Sequence, residues 1–232
     1  MDATMRIGFI GDIHGNLPAL EAVLAELDQQ VDEIWCHGDI CYGGRWPREC
    51  AQLVRSVCKA VTRGNTDDLI ARPEQDNPIG VRDRFELGDD LASWLRDLPL
   101  EHAGGVILTH ATRRSNAARL PQLEADDEVW RDAYGPPPAT IVCGHGHMAF
   151  RRDVGAELQV LNTGSVGAPF DGDPRASYLV GSLERGVWSF QHCRVDYARE
   201  EVARAFDDLG HREARRWAHA IRTGRHPASI AR

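Results

Sequence analysis

Apolar residues recur in short runs from the N-terminus to Cys143, and each run stops at a glycine or a polar side chain. The first, Ile7 to Ile10, reads as a buried strand ended by Gly11. Leu17 to Gln29 has helical spacing, with Leu20, Val23, Leu24 and Leu27 on one face and Glu21, Glu26 and Asp28 toward the other. Pro18 suits the first turn of that helix. Glu33 to His37 is a second strand, ended by Gly38-Asp39, and Gly43-Gly44 makes a loop. Pro47 opens a helix carrying Cys50, Leu53, Val54 and Val57. Ala60 to Arg63 is a third strand, ended by Gly64-Asn65. This β-α-β-α-β order favours parallel pairing with right-handed crossovers.

The next stretch, Asp68 to Leu100, is broken by Arg72-Pro73, Asn77-Pro78 and Gly88. Only Asp90 to Leu98 reads clearly as an amphipathic helix, with Leu91, Trp94, Leu95 and Leu98 inward. Gly105 to Thr109 is a strand ended by His110. Within the polar segment that follows, Leu123 to Ala133 is the best helix. Pro136-Pro137-Pro138 predicts an extended connector. Ala139 to Cys143 is a strand ended by Gly144-His145-Gly146-His147. Beyond it, Met148 to Asp153, Glu157 to Asn162, Ala176 to Ser182 and Val187 to Asp196 are strands close enough in sequence to favour antiparallel pairs. A helix starts at Ala198, with Val202, Phe206 and Leu209 on one face. Arg212 to Thr223 extends it and places Trp217 and Ile221 against the body, while Gly224 to Arg232 reads as a loose tail. The expected organisation is a single domain over 1–232.

The residues that end these strands share one chemistry. They are Asp12 and His14, then Asp39, then Asn65 and Asp67, then His110, then His145 and His147. All are oxygen or imidazole donors. In an open α/β sheet the C-terminal strand ends converge on one crevice. Neighbouring parallel strands lie about 4.8 Å apart, so donors from several ends can reach two ions about 3.5–4 Å apart. Asp12 and His14 are separated by one residue, which in an extended segment would put both on one side.

Gly11-Asp12-Ile13-His14-Gly15-Asn16, Gly38-Asp39, Gly64-Asn65-Thr66-Asp67, the His110 strand end and Gly144-His145-Gly146-His147 together resemble the calcineurin-like metallophosphoesterase superfamily. The later Asn162-Thr163-Gly164-Ser165-Val166-Gly167-Ala168-Pro169 is similar to the segment that follows the last histidine motif in its small bacterial and archaeal members. The resemblance covers about Arg6 to Ser182. It implies a four-layer αββα sandwich, with two mixed β-sheets flanked by helices. It also implies a site for two divalent metal ions. Asp12, His14 and His147 would hold one, Asn65, His110 and His145 the other, and Asp39 would bridge them. Oxygen and imidazole without thiolate suits Mn first, with Fe, Zn or Ni as alternatives. The implied reaction is attack of a metal-activated water on a phosphomonoester or phosphodiester, nucleotides and dinucleoside polyphosphates included, with Asn65 and His110 acting beside the metals. One residue departs from the pattern. Many members carry histidine after the third-motif asparagine, where it is read as a general acid or phosphate contact, and here Thr66 stands there. Arg113 and Arg114 follow His110 closely and are the candidate phosphate contacts. His37 and His102 fit no ligand position and read as structural.

Composition narrows the reading further. Formal net charge is -8 over 232 residues, with Lys59 the only lysine. That balance argues against stable nucleic-acid binding, and so against a nuclease. It leaves a small phosphorylated substrate open, because bound ions reverse the local charge. The 6 cysteines form no CxxC pair and read as reduced packing residues of a cytoplasmic protein. No apolar run is long enough to span a membrane. Oligomeric state is not readable. Some proteins of this fold are binding scaffolds whose ligand positions have decayed; here all seven positions carry competent side chains, which favours the enzyme.

Overall fold

In the computed structural model, residues 4–74, 76–136 and 139–226 are described. Ten strands form two five-stranded sheets. The first has the order β10 (Val187–Val195), β9 (Ala176–Glu184), β1 (Met5–Ile10), β2 (Glu33–Cys36) and β3 (Ala60–Val61). The second has the order β4 (Glu101–Ala103), β5 (Ile107–Thr109), β6 (Ala139–Cys143), β8 (Leu158–Thr163) and β7 (Ala149–Val154). Both sheets are mixed. β1, β2 and β3 pair in parallel, as their βαβ order requires, and β9 and β10 add antiparallel to that core. In the second sheet β6 pairs in parallel with both β5 and β8, while β7 turns back antiparallel on β8.

The sheets face each other across an apolar layer built from Ile7, Phe9, Trp35 and Leu179 on one side and Val106, Leu108, Val142 and Leu161 on the other. Trp188 and Phe190 of β10 pack on this layer. Alternation along β1 sends Ile10 to the opposite face, where it joins Leu20, Val23 and Leu27 of α1 (Leu17–Leu27) and Cys50 and Val54 of α2 (Pro47–Val57). Gly8 shares that face, and a Cβ there would come within 2.8 Å of Leu27. α1 therefore seats close on the strand that leads into Asp12. On the outer side of the second sheet, α5 (Asp127–Tyr134) buries Trp130 and Tyr134 against Ile141, Val154 and Val160. Helix, sheet, sheet, helix is the expected four-layer order.

Several elements depart from the pattern reading. α3 (Asn65–Ala71) begins at the third motif itself, where only a turn was expected. α4 runs over Pro78–Asp97, well upstream of Asp90, and is kinked at Gly88, whose φ of 74° breaks the helix. Before Gly88 the apolar period is broken by Asp83 and Arg82, which bond the Gly43-Gly44 loop. β4 is only three residues long and was not anticipated. α6 (Arg199–Asp207) and α7 (Arg212–Thr223) are two helices separated by a turn at Gly210, with φ 74°, and pack together through Val202, Phe206, Ala218 and Ile221. The expected loose tail is anchored at its start. Gly224 closes α7 in the left-handed conformation, and Arg225 bridges to Asp171. Positions 227–232, like Pro137 and Pro138 of the expected connector, lie outside the described residues. All six cysteines are free, four of them buried. Among the described residues no helix is long and apolar enough to cross a membrane.

Candidate metal centre

The five loops that follow β1, β2, β3, β5 and β6 meet above the sheets and bring the seven expected donors together. Nε2 of His14 lies 3.2 Å from Nε2 of His147, and Nε2 of His147 lies 3.7 Å from Oδ1 of Asp12. Nε2 of His110 and Nδ1 of His145 lie 3.0 and 2.9 Å from the same atom, Oδ1 of Asn65. Asp39 stands between the two groups, with Oδ2 at 3.4 Å from His110 and 3.8 Å from His14. Asp12, His14, Asp39, His110 and His147 are all buried.

Asp12 and His14 are not on one side of an extended segment, as their spacing suggested. Their φ angles are 48° and 50°, and the chain turns at each. Asp39, His145 and His147 are also at positive φ, with 54°, 64° and 54°. Among the described residues, five of the seven non-glycine residues in this region of backbone space are proposed ligands. Such conformations cost free energy and persist where surrounding structure enforces them. Here the enforcement is visible. Backbone N–H groups of Asp12, Ile13 and His14 donate to the carbonyls of Gly38 and Asp39. The N–H groups of Val166 and Gly167 donate to the carbonyls of Gly11 and Asp12, and Ser165 Oγ donates to the Asp12 carbonyl at 2.7 Å. The segment from Asn162 to Pro169 is therefore a clamp on the Gly11–His14 loop. Its Ala168 carbonyl also accepts from Nδ1 of His147 at 2.7 Å.

That last bond fixes a tautomer. With its proton on Nδ1, His147 turns a lone pair on Nε2 inward. His110 is oriented in the same way, with Nδ1 donating to the His37 carbonyl at 2.9 Å and Nε2 facing inward, where it carries a proton or takes a cation. The inward atoms are thus predominantly acceptors packed against acceptors. Oδ1 of Asp12 is buried with no hydrogen-bond partner at all. Acceptors crowded at these distances need a proton or a cation between them. Two groups of donors, Asp12 with His14 and His147, and Asp12 with His37 and His110, come within metal-ligating distance of one another. The residues fit a divalent cation by donor type, burial and orientation.

Charge follows the same geometry. Burial alone would raise the Asp39 carboxyl, but the neighbouring His110 holds it below the usual carboxylate range. Conversely, burial would lower His110, yet Asp39 beside it raises its pKa to about 9. Burial pushes Asp12 up, with Asp39 adding to the push. Burial also lowers His14, His145 and His147, His145 to about 4, so these imidazoles stay neutral and ready to ligate.

Asp67, also a strand-end donor candidate, has a different task. Its carboxylate accepts the N–H groups of Asp39, Ile40 and Gly64 and ties the second motif to the third. His37 is fully buried between Gly11 and Gly144, where any Cβ would overlap its ring, and it bonds Thr163 Oγ1 at 2.8 Å. His102 packs edge-on against Trp35. Arg113 forms a two-point pair with Glu101, and Arg114 pairs with Asp132 at 2.5 Å. Both guanidinium groups are thus held by carboxylates.

Two aromatic rings were missed. Trp217 of α7 stacks on His14 at 4.3 Å between centroids, and Phe170 stacks on His147 at 4.4 Å. Trp217 sits at a core-like position of an amphipathic helix, and nothing in helical spacing marks it as facing a ligand. Phe170 follows Pro169 in the clamp and gives no periodic signal.

Several known proteins are similar to this chain. A crystal structure of a metallophosphoesterase from Sphaerobacter thermophilus is similar over 96% of this chain and 100% of its own, at 28% identity and TM-score 0.78. An uncharacterized protein of Methanocaldococcus jannaschii is 28% identical over 88% of this chain and 91% of its own length. A symmetrical bis(5'-nucleosyl)-tetraphosphatase of Nitrosococcus oceani is 29% identical over 58% of each chain. The sequence model of the calcineurin-like phosphoesterases matches residues 5–179. That span runs from β1 into β9 and takes in every proposed ligand, and on this match the chain belongs to the calcineurin-like phosphoesterase family.

Proposed function

We propose that the protein is a metal-dependent phosphoesterase with a two-ion centre. Asp12, His14 and His147 would hold one ion, Asn65, His110 and His145 the other, and the carboxylate of Asp39 both. When bound, such ions polarise phosphoryl oxygens and acidify water. The observation that carries the reading is the inward crowding of acceptors from five separate loops, with Asp39 central to both groups.

This chain's own residues supply orientation. The Ala168 and His37 carbonyls fix the two imidazole tautomers. The N–H of Thr66 donates to Oδ1 of Asp39 at 2.9 Å and holds that carboxylate between the histidines. Trp217 and Phe170 cover the outer faces of His14 and His147 and restrict water there. The Thr66 side chain cannot protonate a departing alkoxide, since a threonine hydroxyl does not ionise near neutral pH. Esters with good leaving groups, such as aryl esters, are therefore the expected better substrates.

The test is hydrolysis of p-nitrophenyl phosphate and bis-p-nitrophenyl phosphate by protein stripped with EDTA and then resupplied with Mn. Activity should return with Mn, and Asp39→Asn should lose at least about a hundredfold, in line with electrostatic contributions of a few kcal/mol at such centres. Protein that binds no Mn and hydrolyses neither ester would instead be a binding scaffold with this fold.

A further inference from the structure

A cleft of about 490 Å³ opens beside the centre. The His145-Gly146 turn lines it together with Leu120, Leu123, Met148, Phe150 and Phe170, and the exposed Arg119 adds a guanidinium to the lining. Two of these residues connect it to the proposed ions. His145 is a proposed ligand, and Phe170 is stacked on His147, a ligand from the other group. A phosphoryl group at the centre would thus carry its ester substituent past His145 toward the cleft.

The walls state what that substituent is. Leu123 and Met148 are each 45% exposed and, with Leu120, Phe150 and Phe170, leave a contiguous apolar lining in one cleft. Phe150 and Phe170 offer ring surface, and Met148 adapts its shape to an inserted planar group. Arg119 is exposed, and among the described residues no carboxylate pairs with it. Arg113 and Arg114, by contrast, are both held by acidic partners. An unpaired guanidinium in the lining suits a further anionic oxygen of the same ligand.

We infer that this cleft is a substrate subsite for a planar aromatic ring carried on the phosphate, a nucleobase or a simple aryl group, with Arg119 available to a second phosphoryl group. The inference rests on the phosphoesterase reading only for where the phosphate sits. The size is that of an ordinary small-ligand pocket.

The test is binding rather than turnover. Phenylphosphonate, hexylphosphonate and methylphosphonate are titrated into the Mn-supplied protein and followed by ligand-observed NMR. Phenylphosphonate should bind at least tenfold more tightly than methylphosphonate, a difference of about 1.4 kcal/mol. The double variant Leu123→Asp/Met148→Asp should bring the ratio to within about threefold. Phe85→Ala, far more exposed at 86%, should leave the ratio as in the parent. Equal binding of phenyl- and methylphosphonate overturns the subsite. Hexylphosphonate matching phenylphosphonate overturns its aromatic character. AMP against ribose 5-phosphate then separates the two sources: a gain for AMP identifies a nucleobase, and no gain identifies a simple aryl group. Selective phenylphosphonate binding without Mn-dependent hydrolysis would keep the subsite and remove the phosphoesterase reading. Hydrolysis without aromatic selectivity would do the reverse.

Discussion

Asn65 and Thr66 are adjacent, yet they meet the centre through different atoms. Asn65 presents its side-chain oxygen to His110 and His145, whereas Thr66 contributes its backbone N–H to Asp39. The Thr66 hydroxyl is buried without a partner. Asn65→Ala should therefore abolish ester hydrolysis, while Thr66→Ala, which keeps the N–H, should cost less than about tenfold in kcat. Steady-state kinetics on bis-p-nitrophenyl phosphate would check the split, and near-complete loss in both variants would refute it. The same distinction explains what could be read from residues alone. Asp12, His14, Asp39, His110, His145 and His147 were legible because each sits at a strand end, all but His110 beside a glycine, where a turn must occur and a donor need not. Asp67 carried the same signal but serves three backbone N–H groups, because a carboxylate at a turn and a carboxylate at a metal look alike in sequence. Trp217 and Phe170 gave no signal, since their role depends on packing between segments distant along the chain.

At the scale of elements, the helices were legible where one face is continuously apolar and illegible where a helix braces a loop. α4 is the clearest case. Its buried Asp83 accepts the N–H of Gly43 at 2.8 Å and pairs with Arg82, whose guanidinium donates to the Gly44 carbonyl at 2.7 Å. Gly44 in turn lies against the backbone of His14 and Gly15 so closely that no side chain fits. A helix thus holds the loop of His14 and Gly15 through polar contacts that no apolar period reveals. Burial raises the Asp83 carboxyl to about 6, only partly offset by Arg82. The folded state then binds this proton more tightly than the unfolded chain, whose carboxyl titrates near 3.9. The contribution of Asp83 to stability is full below about pH 4 and is lost as pH rises through about 6. Asp83→Asn cannot ionise. Its stability relative to the parent should rise by on the order of 2 kcal/mol between pH 4 and pH 7. Urea unfolding of the metal-free proteins at several pH values measures this, and a difference that stays flat or falls would refute it.

Over the whole molecule, the two sheets deliver their donors to one place, and this couples folding, protons and metal. Without ions, the positive charge between Asp39 and Asn65 is the proton on His110, held with a pKa of about 9. That proton and a cation compete for the same inward nitrogen. In the metal-free protein His110 titrates above the unfolded value of about 6.5, so its stabilisation is complete below pH 6.5 and is lost as pH rises through about 9. Metal-free protein should lose on the order of 3 kcal/mol of stability across that window, a figure that belongs to the His110–Asp39 pair and not to either group alone. A bound cation replaces the proton, so the loaded protein should lack this loss. Ligation also stabilises the folded state by mass action. The rise in Tm produced by Mn should accordingly grow from pH 6.5 to pH 9. Calorimetric titration at pH 8 in buffers of different ionisation enthalpy should show proton release on loading. A Tm increment independent of pH, with no proton released, would mean that His110 is neutral before the metal arrives and that Asp39 does not hold it in the charged form.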